Sequence, residues 1–306
     1  MAKEVTSSVN QVKDEQVKSS LLTDLRELFK AGVLIANVLP VFTGFWLAIR
    51  LTGLSFSNHL SLLLMTIIGS TCVMAGALII NNWYDVDIDT IMRRTQKRPT
   101  VTGHMSLKTV LWLGILFSVT GMIFLWFTSA EAAFWAFVGW ITYVWLYTMW
   151  SKRRYTLNTL IGSVSGAVTP LIGWGAVSST FHIIPIVLFL VMFIWQVPHT
   201  FAVAIRKHDE YKAAGVAMLP VVHGIDITKR QTTVYIACLF PLPFLLAELG
   251  VAFVLLATLL NIGWFIFAVR GFFTDDHLKW ARTIFLYSLN YLVIFYIAII
   301  IVTAVS

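Results

Sequence analysis

Nine stretches of this chain are apolar over about 20 residues, the length that crosses a bilayer as a helix. They lie near 31–52, 60–81, 107–128, 131–150, 157–177, 183–205, 231–248, 250–270 and 283–304. Backbone polar groups must be satisfied internally in hydrocarbon, so such segments fold as helices. The expected fold is therefore an all-α membrane bundle of nine transmembrane helices. Composition agrees: 58% of the 306 residues are hydrophobic and 12% are charged, against about 25% charged in a soluble domain. The division between the seventh and eighth segments rests only on Glu248 and Gly250. Cys72 and Cys238 both fall inside apolar segments and give neither a disulfide framework nor a metal spacing.

The first 30 residues are polar and mixed in charge, without the apolar core of a signal peptide. Residues 1–20 are expected to form a disordered cytoplasmic N-terminus ahead of a single transmembrane domain, 21–306. Leu21, Leu22, Leu25, Leu28 and Phe29 predict an amphipathic helix lying at the interface. The net charge of +7 is a topology signal rather than a sign of nucleic-acid binding. With the N-terminus in the cytoplasm, every one of the 22 Lys and Arg except Arg50 falls on one side, and the positive-inside rule makes that side the cytoplasm.

The second apolar segment ends in Asn81-Asn82-Trp83-Tyr84-Asp85-Val86-Asp87-Ile88-Asp89. Asn81, Asp85 and Asp89 are four residues apart, which stacks their side chains along one helix face. Two carboxylates and an amide oxygen suit a hard cation such as Mg²⁺. Arg93, Arg94, Lys97 and Arg98 follow at once. A metal site beside guanidinium groups is what a diphosphate requires, since arginine grips phosphate oxygens bidentately. Loop charge alone accounts for the arginines but not for the spacing of the carboxylates. Asp87 is offset by about 200° around the helix and points elsewhere.

Further residues are expected on the same side of the membrane. Lys152 and Arg153 follow the fourth segment and act only if their short loop folds over the acidic stripe. Asp209 and Glu210 follow the sixth. If the second and sixth helices face each other, this second acidic pair meets the first across a cavity. Asn158, Gln196 and His199 are polar groups at membrane depth, which usually face a cavity or a neighbouring helix. His199, after Pro198, has three open uses: iron ligand, acid–base group, or hydrogen-bond partner of another helix. Gly162 and Gly166 read as close helix packing.

These residues resemble the UbiA family of intramembrane prenyltransferases, whose first Asp-rich motif matches Asn81-x-x-x-Asp85-x-x-x-Asp89. The longer run through Met92, Arg94-Thr95, Arg98-Pro99 and Gly103 is similar to the protohaem IX farnesyltransferase branch. So are Tyr147-Thr148 with Lys152-Arg153, Pro170…Gly173-Trp174, Trp195-Gln196…Pro198-His199 and Met218-Leu219-Pro220. Asp209-Glu210-Tyr211 inverts that branch's usual order of acids. The resemblance implies a helical bundle around a central cavity, in the cell (plasma) membrane, with the active site facing the cytoplasm. It implies farnesyl diphosphate as donor, haem B as acceptor, haem O as product and a downstream haem A synthase as partner. Asn81, Asp85 and Asp89 are then the Mg²⁺ ligands. Arg94, Lys97, Arg98, Lys152 and Arg153 bind diphosphate, and Asn158, Gln196, His199, Asp209 and Glu210 are further substrate-binding candidates.

A quinone precursor or chlorophyllide as acceptor is the alternative that keeps this chemistry. An ion-coupled transporter using Asp85, Asp89 and His199 is a different class, disfavoured because transporters place such groups near the bilayer midplane.

Overall fold

Prolines mark the breaks in two of the apolar segments of this chain, whereas Pro40 and Pro198 lie inside helices that continue through them. The structure, a computed structural model, describes residues 21–305, and among them there is no strand. The tail 1–20, expected to be disordered, lies outside the described residues. Helix α1 (Leu21–Phe29) turns at Lys30 into α2 (Ala31–Leu51). Then come α3 (Leu60–Tyr84), the short α4 (Val86–Ile91) and α5 (Pro99–Thr102), α6 (Leu107–Thr128) and α7 (Ala130–Ile141). Helix α7 runs on as a π-helix over Thr142–Ser151. The second half holds α8 (Asn158–Ala167), α9 (Thr169–Gly175), α10 (Ile183–Arg206), α11 (His208–Ala213), α12 (Leu219–His223), α13 (Ile225–Ala237), α14 (Leu242–Leu245), α15 (Val251–Arg270) and α16 (His277–Val305).

Among the described residues seven helices are long and apolar enough to cross a membrane: α2, α3, α6, α7 with its π extension, α10, α15 and α16. The chain is an integral membrane protein. The other two expected segments are interrupted. Pro170 opens α9 and separates it from α8, because proline lacks the N–H that would continue the preceding helix. Pro241 and Pro243 likewise set α14 apart from α13. Outward side chains such as Trp112, Trp126, Phe127 and Leu259 are exposed, a surface that suits lipid tails rather than water.

Two apolar clusters hold the bundle together. One joins α10, α15 and α16 through Trp195, Trp264, Tyr291 and Phe295; the other joins α2, α6, α7 and α9 through Phe45, Leu125, Ala136 and Ile172. Between helices in lipid, close contact replaces hydrophobic drive, so small residues sit at the seams. A methyl group on Gly173 would collide with the Val41 carbonyl, and one on Gly76 with Ser118. These close approaches bind α9 to α2 and α6 to α3.

The predicted amphipathic helix α1 is present, but it docks on the bundle. Leu28 is fully buried against Ile79 and Val110, and Asn82 donates to the Leu28 carbonyl at 2.8 Å.

Candidate active site

Helix α3 ends at Tyr84 and α4 begins at Val86, yet the helical register passes through the joint. The Asp85 N–H donates to the Asn81 carbonyl at 3.0 Å, and the Asp89 N–H to the Asp85 carbonyl at 2.9 Å. Asn81, Asp85 and Asp89 therefore stay on one face, and all three are buried. Each meets a cation from a different segment. Lys30 Nζ donates to Asn81 Oδ1 at 2.5 Å, Lys152 to the Asp85 carboxylate, and Arg98 to the Asp89 carboxylate. The Asn81 amide NH₂ donates to Asp85 Oδ2 at 2.6 Å and to Thr148 at 3.1 Å.

A cavity of about 390 Å³ lies against this stripe. Its polar end is lined by Lys30, Asn81, Asp89, Arg94, Arg98 and Lys152; towards the membrane interior its walls are Val73, Met74, Ala136, Trp140 and Ile172. Charge at one end and apolar walls behind it match a ligand with a charged head and a hydrocarbon tail.

The π-helix explains how Lys152 reaches the stripe. The Lys152 N–H donates to the Tyr147 carbonyl five residues back, at 2.9 Å, and Thr148 Oγ1 donates to the Tyr143 carbonyl at 2.8 Å. Such π segments recur at functional sites. Here the widened turn puts Tyr143 and Tyr147 in the cavity wall, with the Lys152 ammonium 5.9 Å from the Tyr147 ring centroid. Gly162 and Gly166, read above as helix packing, also line the cavity. A methyl on Gly166 would strike the Gln196 amide, and one on Gly162 would sit 3.0 Å from the Tyr147 ring.

His199 lines the cavity from α10. Its Nδ1 lies 2.7 Å from Ser288 Oγ, and Ser288 gives its only hydroxyl proton to the Phe285 carbonyl at 2.6 Å. Ser288 must therefore accept from His199, so the imidazole proton is on Nδ1 and the lone pair is on Nε2. The ring stacks on Trp195 at 4.9 Å and packs against Phe285 at 5.0 Å. Gln196 spends its amide NH₂ on the Ser163 and Met192 carbonyls, both at 3.1 Å.

Other expected site residues lie elsewhere. Lys97 is exposed and does not line the cavity. Asn158 is fully buried outside it, donating to the Lys152 carbonyl at 3.1 Å and the Ala217 carbonyl at 2.9 Å; it anchors the Lys152 turn. Arg153 forks onto Asp87 at 2.6 and 2.7 Å and lies 3.5 Å from Asp85 Oδ1. The hydrogen bonds from Arg153 hold the Asp87 carboxyl below the usual carboxylate range. Neither Asp209 nor Glu210 is among the residues that line the cavity, although Tyr211 of the same short helix α11 is. Asp209 is wholly exposed beside His208. Glu210 is held by Lys207 at 2.6 Å, and its Oε2 is buried without a hydrogen-bond partner.

Lys30, Tyr143, Tyr147 and Tyr211 are lining residues that sequence reasoning did not select. Lys30 was counted only as a topology charge. Burial, with Arg98 and Lys152 nearby, pushes its ammonium well below its ordinary pKa.

The donor set can be tested for a divalent cation. Among the described residues no three His, Cys, Asp or Glu converge as a ready-made cage. Two carboxylates and one amide oxygen are nevertheless a hard-oxygen set, suited to an ion that takes its remaining ligands from phosphate and water. Asp85 Oδ1 is buried and accepts no hydrogen bond, an oxygen that a cation would satisfy.

The chain is similar to known proteins over nearly its whole length. A protohaem IX farnesyltransferase of Oceanobacillus iheyensis is 54% identical over 292 residues, covering 95% of this chain and 93% of that one. Protohaem IX farnesyltransferase 2 of Bacillus subtilis is 51% identical over 280 residues, covering 92% of each. Among solved structures, a digeranylgeranylglyceryl phosphate synthase superposes with a TM-score of 0.75 at 17% identity, over 93% of this chain and 99% of that one. A UbiA homologue from Archaeoglobus fulgidus bound to DMAPP and Mg²⁺ superposes with a TM-score of 0.68 at 16% identity, over 90% of this chain and 99% of that one. At such identities the last two establish the shared fold alone. The sequence model of the UbiA prenyltransferase family matches residues 37–290, and the chain belongs to that family.

Proposed function

We propose that this prenyltransferase moves the farnesyl group of farnesyl diphosphate onto a vinyl group of haem B, giving haem O and diphosphate. The observation that carries the proposal is the buried Asn81–Asp85–Asp89 stripe, met by Arg98 and Lys152 at the charged end of an apolar cavity. The acceptor rests on relatives at about half identity over nearly the whole chain, named for farnesylation of protohaem IX. We further place the chain in the plasma membrane with nine crossings, two of them interrupted, and with its N-terminus and charged cavity end in the cytoplasm. That placement follows the one-sided distribution of Lys and Arg. A haem A synthase is the natural consumer of the product.

Asn81, Asp85 and Asp89 would hold Mg²⁺, and Glu210, with its unpartnered Oε2, is the better candidate of the second acidic pair. When bound there, the ion would supply positive charge to the diphosphate oxygens and so make diphosphate a better leaving group. Arg94, Arg98 and Lys152 face the same end of the cavity and neutralise the rest of that charge. Their positive field is fixed before reaction, so it stabilises the electron pair that the departing diphosphate takes from the C–O bond. Trp140, Tyr143 and Tyr147 wall the cavity and keep bulk water from the allylic cation. The vinyl π pair then bonds to the farnesyl carbon. Water adds to the resulting cation and gives its proton to diphosphate, leaving the hydroxyl of haem O. His199 lines this cavity with its Nδ1 on Ser288, which leaves the Nε2 lone pair free, the state in which imidazole ligates iron. We assign it to the haem iron of the acceptor.

The test is turnover by the purified protein with Mg²⁺, farnesyl diphosphate and haem B. A prenylated haem supports the proposal; prenylation of a phenolic quinone precursor with haem left untouched overturns it.

A further inference from the structure

Lys30 is the one non-glycine residue with positive φ among the described residues, at φ 49° and ψ 54°. The left-handed conformation costs an ordinary L-residue roughly 1–2 kcal/mol. This is the position after α1 where a helix commonly ends on glycine. A lysine there is unfavourable for the backbone, and what it provides is the amine. Helix α1 is pinned by the buried Leu28 and by the Asn82 bond to its carbonyl, so Lys30 is delivered to the charged end of the cavity, which it lines.

The amine occupies a particular atom. The Asn81 NH₂ already has two acceptors, Asp85 Oδ2 and Thr148 Oγ1, so the amide orientation is fixed and Oδ1 turns to Lys30 at 2.5 Å. That oxygen is the one that Asn81 itself can offer to a cation, beside the unpartnered Asp85 Oδ1. A divalent ion and an ammonium do not share one amide oxygen comfortably, since two positive charges would sit within a few ångströms. An ammonium displaced inside a half-buried cavity needs another acceptor. With α1 pinned, its reach includes the space beside Arg98 and Lys152, where the diphosphate would sit.

We propose that Lys30 is a diphosphate-binding residue held on Asn81 Oδ1 until a divalent cation takes that oxygen, and then turned onto the substrate. This rests on the metal–diphosphate function proposed above. It adds a residue to the site and a reciprocal relation: Lys30 competes with the metal alone but supports the metal–diphosphate complex.

The test is calorimetric titration of the purified full-length protein with Mn²⁺ alone and with farnesyl diphosphate in the presence of Mn²⁺. Loss of one charge-assisted contact predicts that Lys30→Met binds farnesyl diphosphate roughly 10- to 100-fold more weakly. The same variant should bind Mn²⁺ alone more tightly than wild type, a change that a merely structural lysine would not produce. Lys30→Arg should recover farnesyl diphosphate binding in part. Lys30→Gly relieves the backbone conformation, so it keeps the test valid if the Met variant folds poorly, and it should show the same two opposed changes. Unchanged farnesyl diphosphate affinity in Lys30→Met and Lys30→Gly, or weaker Mn²⁺ binding in both, overturns the proposal. Asp85→Ala separates the two levels. If it loses metal-dependent binding while Lys30→Met keeps it, Lys30 is rejected and the metal site stands; if both retain wild-type binding, both are rejected.

Discussion

The Arg98 guanidinium donates to the Asp89 carboxylate from nine residues further along the chain, and both side chains are almost wholly buried. Arg98 is thus fixed at the start of α5, one arm on the acidic stripe and the rest of its fork at the cavity edge. Lysine keeps the charge but not the fork. Arg98→Lys is expected to weaken the apparent affinity for farnesyl diphosphate by roughly tenfold, with haem affinity unchanged. Separate titrations of the two substrates check it; the opposite pattern would put Arg98 at the haem carboxylates.

Asp85 and Asp89 are interior to the site, and Asp87 is not. Removal of a metal ligand forfeits several kcal/mol of transition-state stabilisation, so Asp85→Ala and Asp89→Ala should each lower turnover at least ~10³-fold. Protein level in the membrane should be retained. Asp87 is mostly exposed and paired with Arg153, a class of ion pair worth about 0–1 kcal/mol. Asp87→Asn should keep turnover within roughly threefold of wild type. Comparable losses in all three variants would remove the distinction.

The second acidic pair divides in the same way. Asp209 is fully exposed, whereas Glu210 is partly buried with an unpartnered oxygen. Asp209→Asn is expected to be near neutral, within roughly twofold, as ordinary surface substitutions are. Glu210→Gln should raise the Mg²⁺ concentration needed for half-maximal activity. Equal sensitivity to Mg²⁺ in the two variants would show that neither acid serves the metal.

Much of this was readable from residues alone, and the exceptions share a cause. The spacing of Asn81, Asp85 and Asp89 announces one face because the backbone register survives the α3–α4 joint. Apolar length placed α6 at its observed bounds, Leu107–Thr128. What escaped depends on geometry that a 3.6-residue period does not encode. Tyr143, Tyr147 and Lys152 share a wall only because the turn widens to a π-helix. Lys30 reaches Asn81 only through a left-handed joint. Asn158 carries the signature of an intramembrane polar group, but its partners are two backbone carbonyls and not a ligand. Nothing in the identity of a residue says which of those it will meet.

His199 offers a spectroscopic check that is independent of diphosphate chemistry. Its Nδ1 proton is committed to Ser288, and Ser288 to Phe285. If Nε2 ligates the haem iron, His199→Ala should shift the Soret band of bound haem and weaken haem retention, leaving farnesyl diphosphate binding intact. Ser288→Ala frees the tautomer and should produce a smaller shift in the same direction. An unchanged Soret band in a less stable His199→Ala protein would restrict His199 to linking α10 with α16.

Product identity bears most directly on the central proposal. The purified protein is incubated with farnesyl diphosphate, haem B and Mg²⁺, with and without a chelator, and the porphyrin products are resolved by mass. The expected result is a haem heavier than haem B by one farnesyl group and one hydroxyl, formed only with the metal present and absent for Asp89→Ala. Unmodified haem under every condition, or the same product in the presence of chelator and in Asp89→Ala, would contradict it.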